Sequence, residues 1–328
     1  MTKREAGSGR MGWGELFLLV LVLLVAFPRE ALAFGPATHI DLGLHVLRYA
    51  ALLPFAVRRV ISSYPETFLY GGFAADVVVG KNLARHVHHC HNWDVGFRML
   101  DEAPTAEIKA LCWGFLAHLG ADVIAHNYFI PFKLVCSYEG RMTRHVYWEV
   151  RFDQANHDSD GVWRTLQRLG RARFPEADGF LRDELSRSSR LLPFDVSRRL
   201  FNSFMLLSRA EKWREMTSNV ADRSRWSLSE EEFTDVRRRA LDNVFGVLVD
   251  GRNAAVASRD PTGKQVLGQA KKLRRKLKRK MRRGRVGVRL GPAGEALLQQ
   301  RLFDVLDGRG GALPTFAEIA AVKVDNSK

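Results

Sequence analysis

TAEIKALCWGFLAHLGADVIAHNYF, residues 105–129, decides the fold class. Ile108, Leu111, Phe115, Leu119 and Val123 recur at three- and four-residue steps, the spacing that lines one face of an α-helix. Pro104 and Pro131 bracket the stretch, and proline breaks helices more readily than it sits inside them. Within it, His118, Asp122 and His126 stand four residues apart. Four helical residues turn about 400° and rise about 6 Å, so the three side chains line one side of the helix. A carboxylate buried among apolar neighbours is costly unless a positive partner compensates it. A divalent cation held with the two imidazoles supplies that compensation; a hydrogen-bonded polar seam is the competing reading of these three residues alone.

The same helical periodicity extends outward. Residues 39–52 place Ile40, Leu44, Leu47 and Ala51 on one face, and further amphipathic stretches occupy 143–155, 160–171, 193–212 and 230–249. Pro65, Pro175 and Pro193 fall between them. Strand-like alternation is confined to GRVGVRLG at 284–291. The pattern predicts an all-α body over 34–252, followed by a basic helical C-terminal extension over 253–328 with a short helix near 293–307.

The chain has 328 residues, with 51 Lys+Arg against 36 Asp+Glu. The resulting charge of +15 is concentrated in KKLRRKLKRKMRRGR at 271–285, which holds 11 basic and no acidic residues. Without that segment and the first 33 residues the body is nearly neutral, unlike a protein coated for nucleic acid. Leu273, Leu277 and Met281 recur every four residues in the basic segment. A helix there carries a narrow apolar stripe in a cationic field, which suits phospholipid headgroups on an anionic membrane surface better than it suits nucleic acid. A solvated basic helix with no partner is the plain alternative.

At the other end, Lys3, Arg4 and Arg10 precede an unbroken apolar run from Leu16 to Phe27, and Ala31-Leu32-Ala33 follows. That order is a secretory signal pattern. The run is 12 residues long, short of the roughly 20 that a membrane-spanning helix needs. Cleavage after Ala33 makes Phe34 the mature N-terminus of a secreted or periplasmic protein. Cys90, Cys112 and Cys136 are three in number, so at most one disulfide forms within the chain and no framework follows; Cys112 reads as a core residue.

Nine of the ten histidines lie between residues 39 and 145. His145 and Glu149 repeat the four-residue spacing on another helix, and His39, Asp76 and HHCHNWD at 88–94 complete the set. Imidazoles and carboxylates without paired cysteines suit zinc, and other first-row metals also bind such groups.

Taken in order, FGPATH (34–39), GGFAAD (71–76), HHCHN (88–92), HLGADVIAH (118–126) and HVYWE (145–149) resemble the zinc-dependent phospholipase C family, whose fold is shared with single-strand-specific zinc nucleases. The resemblance implies a multi-helix bundle holding three zinc ions. By position, Phe34 (through its backbone), His39 and Asp122 hold the first. Asp76, His89, His118 and the bridging Asp122 hold the second, and His126, His145 and Glu149 the third. The family pattern selects His89 with Asn92, leaving His91 as the alternative. The family usually begins with Trp where Phe34 stands, and in its better-known members the equivalent of His126 follows that of Asp122 at an interval of six residues. The interval of four here keeps His126 on the helix face.

The implied chemistry is phosphodiester hydrolysis. A pair of divalent ions lowers the pKa of bound water to about 7 and clamps the oxygens of an in-line displacement, with Asp76 as the residue that orients the nucleophile or takes its proton. A phospholipase C releasing diacylglycerol and a phosphorylated headgroup is the leading expectation. A nuclease or nucleotidase would need an aromatic platform, for which Trp93, Phe129 and Tyr147 are candidates. A non-catalytic zinc-binding protein of the membrane surface is the third expectation.

Overall fold

The structure is a computed structural model that describes residues 34–78, 89–140, 145–155, 160–186, 192–207, 226–283 and 290–325. The leader, His86, His88, His157 and most of the strand-like 284–291 segment lie outside the described residues. Among those residues no strand occurs and the fold is all-α.

The 105–129 stretch becomes α5 (Ala106–Ile124), the central rod. In chain order before it stand α1 (Pro36–Arg48), α2 (Phe55–Ser63), α3 (Pro65–Ala74) and α4 (Trp93–Glu102). Thr105 starts the rod by accepting the Ile108 N–H on its hydroxyl. From Ile108 onward nearly every α5 side chain is buried, so the helix is enclosed on all sides. It continues through a π turn (Ala125–Phe129) into α6 (Ile130–Cys136). Pro131 lacks the N–H that a regular helix would use there, and the widened turn accommodates it. The whole rod, Ala106–Cys136, has the length and hydropathy of a membrane span but is largely buried inside the protein.

Small residues let other helices approach the rod. A Cβ on Gly71 of α3 would stand 2.0 Å from the Leu111 carbonyl oxygen, and one on Gly114 would stand 1.9 Å from that of Phe68. This close crossing brings the C-terminal end of α3, and Asp76 beyond it, against the middle of α5. After the rod come α7 (His145–Ala155), α8 (Asp160–Arg171), α9 (Pro175–Leu185), α10 (Phe194–Leu207) and α11 (Glu230–Asp250), which packs along α5.

The extension holds α12 (Lys264–Arg282), α13 (Pro292–Leu306) and α14 (Phe316–Asp325). α12 lies on α6, and its Val266, Leu267, Ala270, Leu273 and Leu277 are buried. Arg274 ties it down by donating to the Leu134 carbonyl at 2.8 Å and the Gly140 carbonyl at 2.7 Å. The apolar stripe read from sequence as membrane-facing is therefore packed inside the protein, leaving the cationic face outward. All three cysteines are free and buried, Cys112 in the core as expected.

Candidate metal centre

Five side chains from four parts of the chain converge beside the middle of α5. His39 comes from the first turns of α1, Asp76 from the turn after α3, His91 from just before α4, and His118 and Asp122 from α5 itself. All five are buried. Asp122 is the hub: Oδ1 lies 3.4 Å from His39 Nε2, and Oδ2 lies 3.0 Å from His91 Nε2 and 3.3 Å from His118 Nε2. Asp76 Oδ1 stands 3.4 Å from His91 Nε2 and 3.9 Å from His118 Nε2. The nitrogens of His91 and His118 are themselves 3.1 Å apart.

The orientations suit a cation better than a hydrogen-bonded seam. The Gly72 carbonyl, 3.0 Å from His118 Nδ1, can only accept, so the proton of that ring sits on Nδ1 and a lone pair on Nε2 faces the cluster. Neither oxygen of Asp122 nor Nε2 of His39 makes a well-directed hydrogen bond among the described residues. Two buried carboxylates, Asp76 and Asp122, thus share one space with the lone pair of His118, which costs free energy unless a positive charge sits among them. Zinc held tetrahedrally by bonds of about 2.0–2.1 Å spaces its ligand atoms about 3.3 Å apart, close to the separations found here. His39, Asp76 and His118 form one group able to hold a metal, and His91, His118 and Asp122 another.

Protonation follows the same geometry. Burial first, then the neighbouring His118, lowers the pKa of His39. Burial alone would raise that of Asp122, but the facing rings of His118, His39 and His91 hold it well below the carboxylate range. A neutral imidazole beside an ionised carboxylate is the ligand-competent state.

A second group adjoins the first. His126, in the π turn, places its ring 5.3 Å from that of His145, and His145 Nε2 is 3.1 Å from Glu149 Oε1 on α7. His126 Nδ1 is 3.9 Å from Asp122 Oδ2 but only 2.6 Å from the Pro261 carbonyl. The α-helical face expected for His126 is thus a widened turn that directs the ring toward the extension and α7. Phe34 is fully buried beside His39, their ring centroids 6.2 Å apart.

The position in HHCHN differs from the family-based choice. His91 faces Asp76 and Asp122, while the partly exposed His89 accepts the backbone N–H of His91 on Nδ1 at 3.0 Å. Between them, Cys90 turns its thiol toward the Ala75 carbonyl at 3.3 Å and lies 3.4 Å from His91 Nδ1. His89, Cys90 and His91 also bring their ligand atoms close together. His91, the sequence alternative, is the ring at the hub.

One supporting residue escaped the sequence reading. Asp153 on α7 is buried and accepts from the Ala37 N–H at 3.2 Å, the Thr38 N–H at 3.0 Å and the Thr38 hydroxyl at 2.5 Å. It caps α1 from a distance and so fixes the segment running from Phe34 to His39. Its only sequence signal is that it stands four residues after Glu149.

The family model for zinc-dependent phospholipase C matches residues 38–184, a span containing every candidate ligand except Phe34. No curated protein and no solved structure matches the chain.

Proposed function

We propose that this chain, which carries a zinc-dependent phospholipase C family domain, is an exported phosphodiesterase cleaving glycerophospholipids to diacylglycerol and a phosphorylated headgroup. The observation that supports it most is the position of Asp122, whose two oxygens face different imidazole sets, Oδ1 toward His39 and Oδ2 toward His91 and His118. A carboxylate so placed would serve two cations, one on each oxygen. Three zinc ions are proposed: one at Phe34, His39 and Asp122, one at Asp76, His91, His118 and Asp122, and one at His126, His145 and Glu149. Bound zinc would supply a hydroxide-generating, charge-neutralising Lewis acid for phosphoester hydrolysis.

The chain's own residues supply order. Gly72 holds His118 through its Nδ1 proton, Asp153 holds the start of α1, and Asp76 is the carboxylate proposed to orient the attacking water or take its proton. The leader (1–33) is proposed to be cleaved, exporting the protein and giving Phe34 a free amine.

The aromatic residues favour lipid over nucleic acid. Trp93 and Phe129 are buried, and Tyr147 donates its hydroxyl to the Trp226 carbonyl at 2.9 Å. None of the three candidates is placed as an open stacking platform. The outward face of α12 exposes Lys271, Lys272, Arg275, Arg279 and Arg282, and Arg283 just after it is exposed too. We propose that this face meets anionic headgroups electrostatically, without inserting, at about 1 kcal/mol per cation near the surface.

The test is metal content per chain on protein beginning at Phe34 with a free amine, followed by turnover on mixed phospholipids and on single-stranded DNA. Three zinc ions with diacylglycerol release is the expected result. Nucleotide release instead would move the function to a nuclease, and absence of bound zinc would remove the reading.

A further inference from the structure

The matched family region ends at residue 184, yet a loop far beyond it reaches the metal centre. Three consecutive backbone carbonyls there face three side chains that flank the site. The Arg259 carbonyl accepts from Trp93 Nε1 at 2.7 Å, the Asp260 carbonyl from Asn127 Nδ2 at 2.8 Å, and the Pro261 carbonyl lies 2.6 Å from His126 Nδ1. Trp93 follows His91 by two residues and opens α4; His126 and Asn127 belong to the π turn.

The loop is itself braced. The Asp260 carboxylate accepts from the Thr262 N–H at 2.9 Å, the Thr262 hydroxyl at 2.7 Å and the Lys264 N–H at 3.1 Å. Gly263 has a φ of +53°, and a Cβ on it would stand 2.4 Å from the His126 carbonyl oxygen. The backbone lies directly on His126, and only glycine permits both the conformation and the approach.

We infer that residues 259–263 are a positioning clamp for the proposed third metal site, acting through His126. A carbonyl cannot donate, so the Pro261 contact places the ring proton of His126 on Nδ1 and leaves the lone pair on Nε2. This is the role that an outer partner plays for a metal-ligating histidine. It also occupies the proton that would otherwise be free to turn to Asp122, whose Oδ2 lies 3.9 Å away, beyond hydrogen-bond reach. Arg259 and Asp260 anchor the same loop to the segments on either side, so the extension is part of the site's architecture. The inference rests on His126 being a ligand, as proposed above.

Two readouts on the full chain test it. The first is NMR of histidine-labelled, metal-stripped protein, in which long-range proton–nitrogen correlations show which ring nitrogen of His126 carries the proton. A proton on Nδ1 is expected; one on Nε2 overturns the clamp. The second is zinc retention against a chelator. Gly263→Ala should release one ion about 10- to 100-fold faster than wild type while retaining the others. Gly268→Ala, in the same extension with nothing within 4 Å of its added Cβ, should behave as wild type. Unchanged zinc release in Gly263→Ala overturns the inference. If that variant does not fold, Asp260→Ala loosens the brace from outside the site and is read the same way. A wild-type chain that binds no zinc would sink the functional reading, whereas the ring-proton measurement would still decide the Pro261 contact.

Discussion

His118 and Asp122, one turn apart on α5, face each other with Nε2 and Oδ2 3.3 Å apart, while Nδ1 of the same imidazole is committed to the Gly72 carbonyl at 3.0 Å. The lone pair of one residue and the carboxylate of the other are thereby aimed at a common point that a cation would occupy. Asp122→Asn removes the charge and one of the two acceptor oxygens. The expected outcome is loss of two zinc ions together, with activity down more than about 100-fold and helical content unchanged. Metal analysis with circular dichroism checks it, and full zinc retention would show that Asp122 bridges nothing.

The HHCHN segment gives a separable prediction. His91→Ala removes a ring contacting Asp76 at 3.4 Å and Asp122 at 3.0 Å, and should cost more in metal affinity than the roughly 10- to 100-fold typical of losing an outer partner of a ligand. His89→Ala removes an acceptor for the His91 N–H and should cost less than about tenfold. Zinc titration of both variants ranks them; the reverse order would restore His89 as the ligand.

The rod and its ladder of His118, Asp122 and His126 were legible because helical periodicity and the four-residue step are local properties of the sequence. The choice between His89 and His91 was not, because it depends on how Cys90 turns against the Ala75 carbonyl. Nor was the π turn, since Asp122 and His126 have the same sequence spacing whether the turn is regular or widened. Asp153 caps residues more than a hundred positions away, and no local pattern encodes that. Leu273 and Leu277 show a different limit. Their periodicity correctly announced an apolar face but could not say whether lipid or the neighbouring α6 would cover it.

Close approach of α3 to α5 supports a stability prediction. Gly71→Ala and Gly114→Ala each place a methyl about 2 Å from a carbonyl oxygen of the opposing helix, so the helices must separate. Each should destabilise by about 3 kcal/mol or more, at the upper end for overpacking. Gly246→Ala on α11 meets nothing within 4 Å and should stabilise by about 0.5–1 kcal/mol. Denaturant unfolding measures all three, and equal midpoints would contradict the close crossing.

Asp153 makes the pH dependence of stability testable. Burial raises its pKa to about 6, even though the Thr38 and Ala37 hydrogen bonds pull the other way. Between the ordinary carboxyl value of about 4 and 6, the folded chain therefore holds a proton that the unfolded chain has released. Stability falls as pH rises through that window, because the unfolded state binds fewer protons there. Two pKa units correspond to about 3 kcal/mol. Asp153→Asn keeps an acceptor for Thr38 but cannot ionise, so its profile should lack this decline. Asp153→Ala loses the cap and should be destabilised by about 1–2 kcal/mol even at low pH. The comparison belongs on metal-stripped protein, since a nearby cation would lower the same pKa. Unfolding curves from pH 4 to pH 7 for wild type and Asp153→Asn should diverge as pH rises, with wild type losing ground. Parallel curves would mean that Asp153 ionises as readily in the folded chain as in the unfolded one, and that its hydrogen bonds to α1 fully offset its burial.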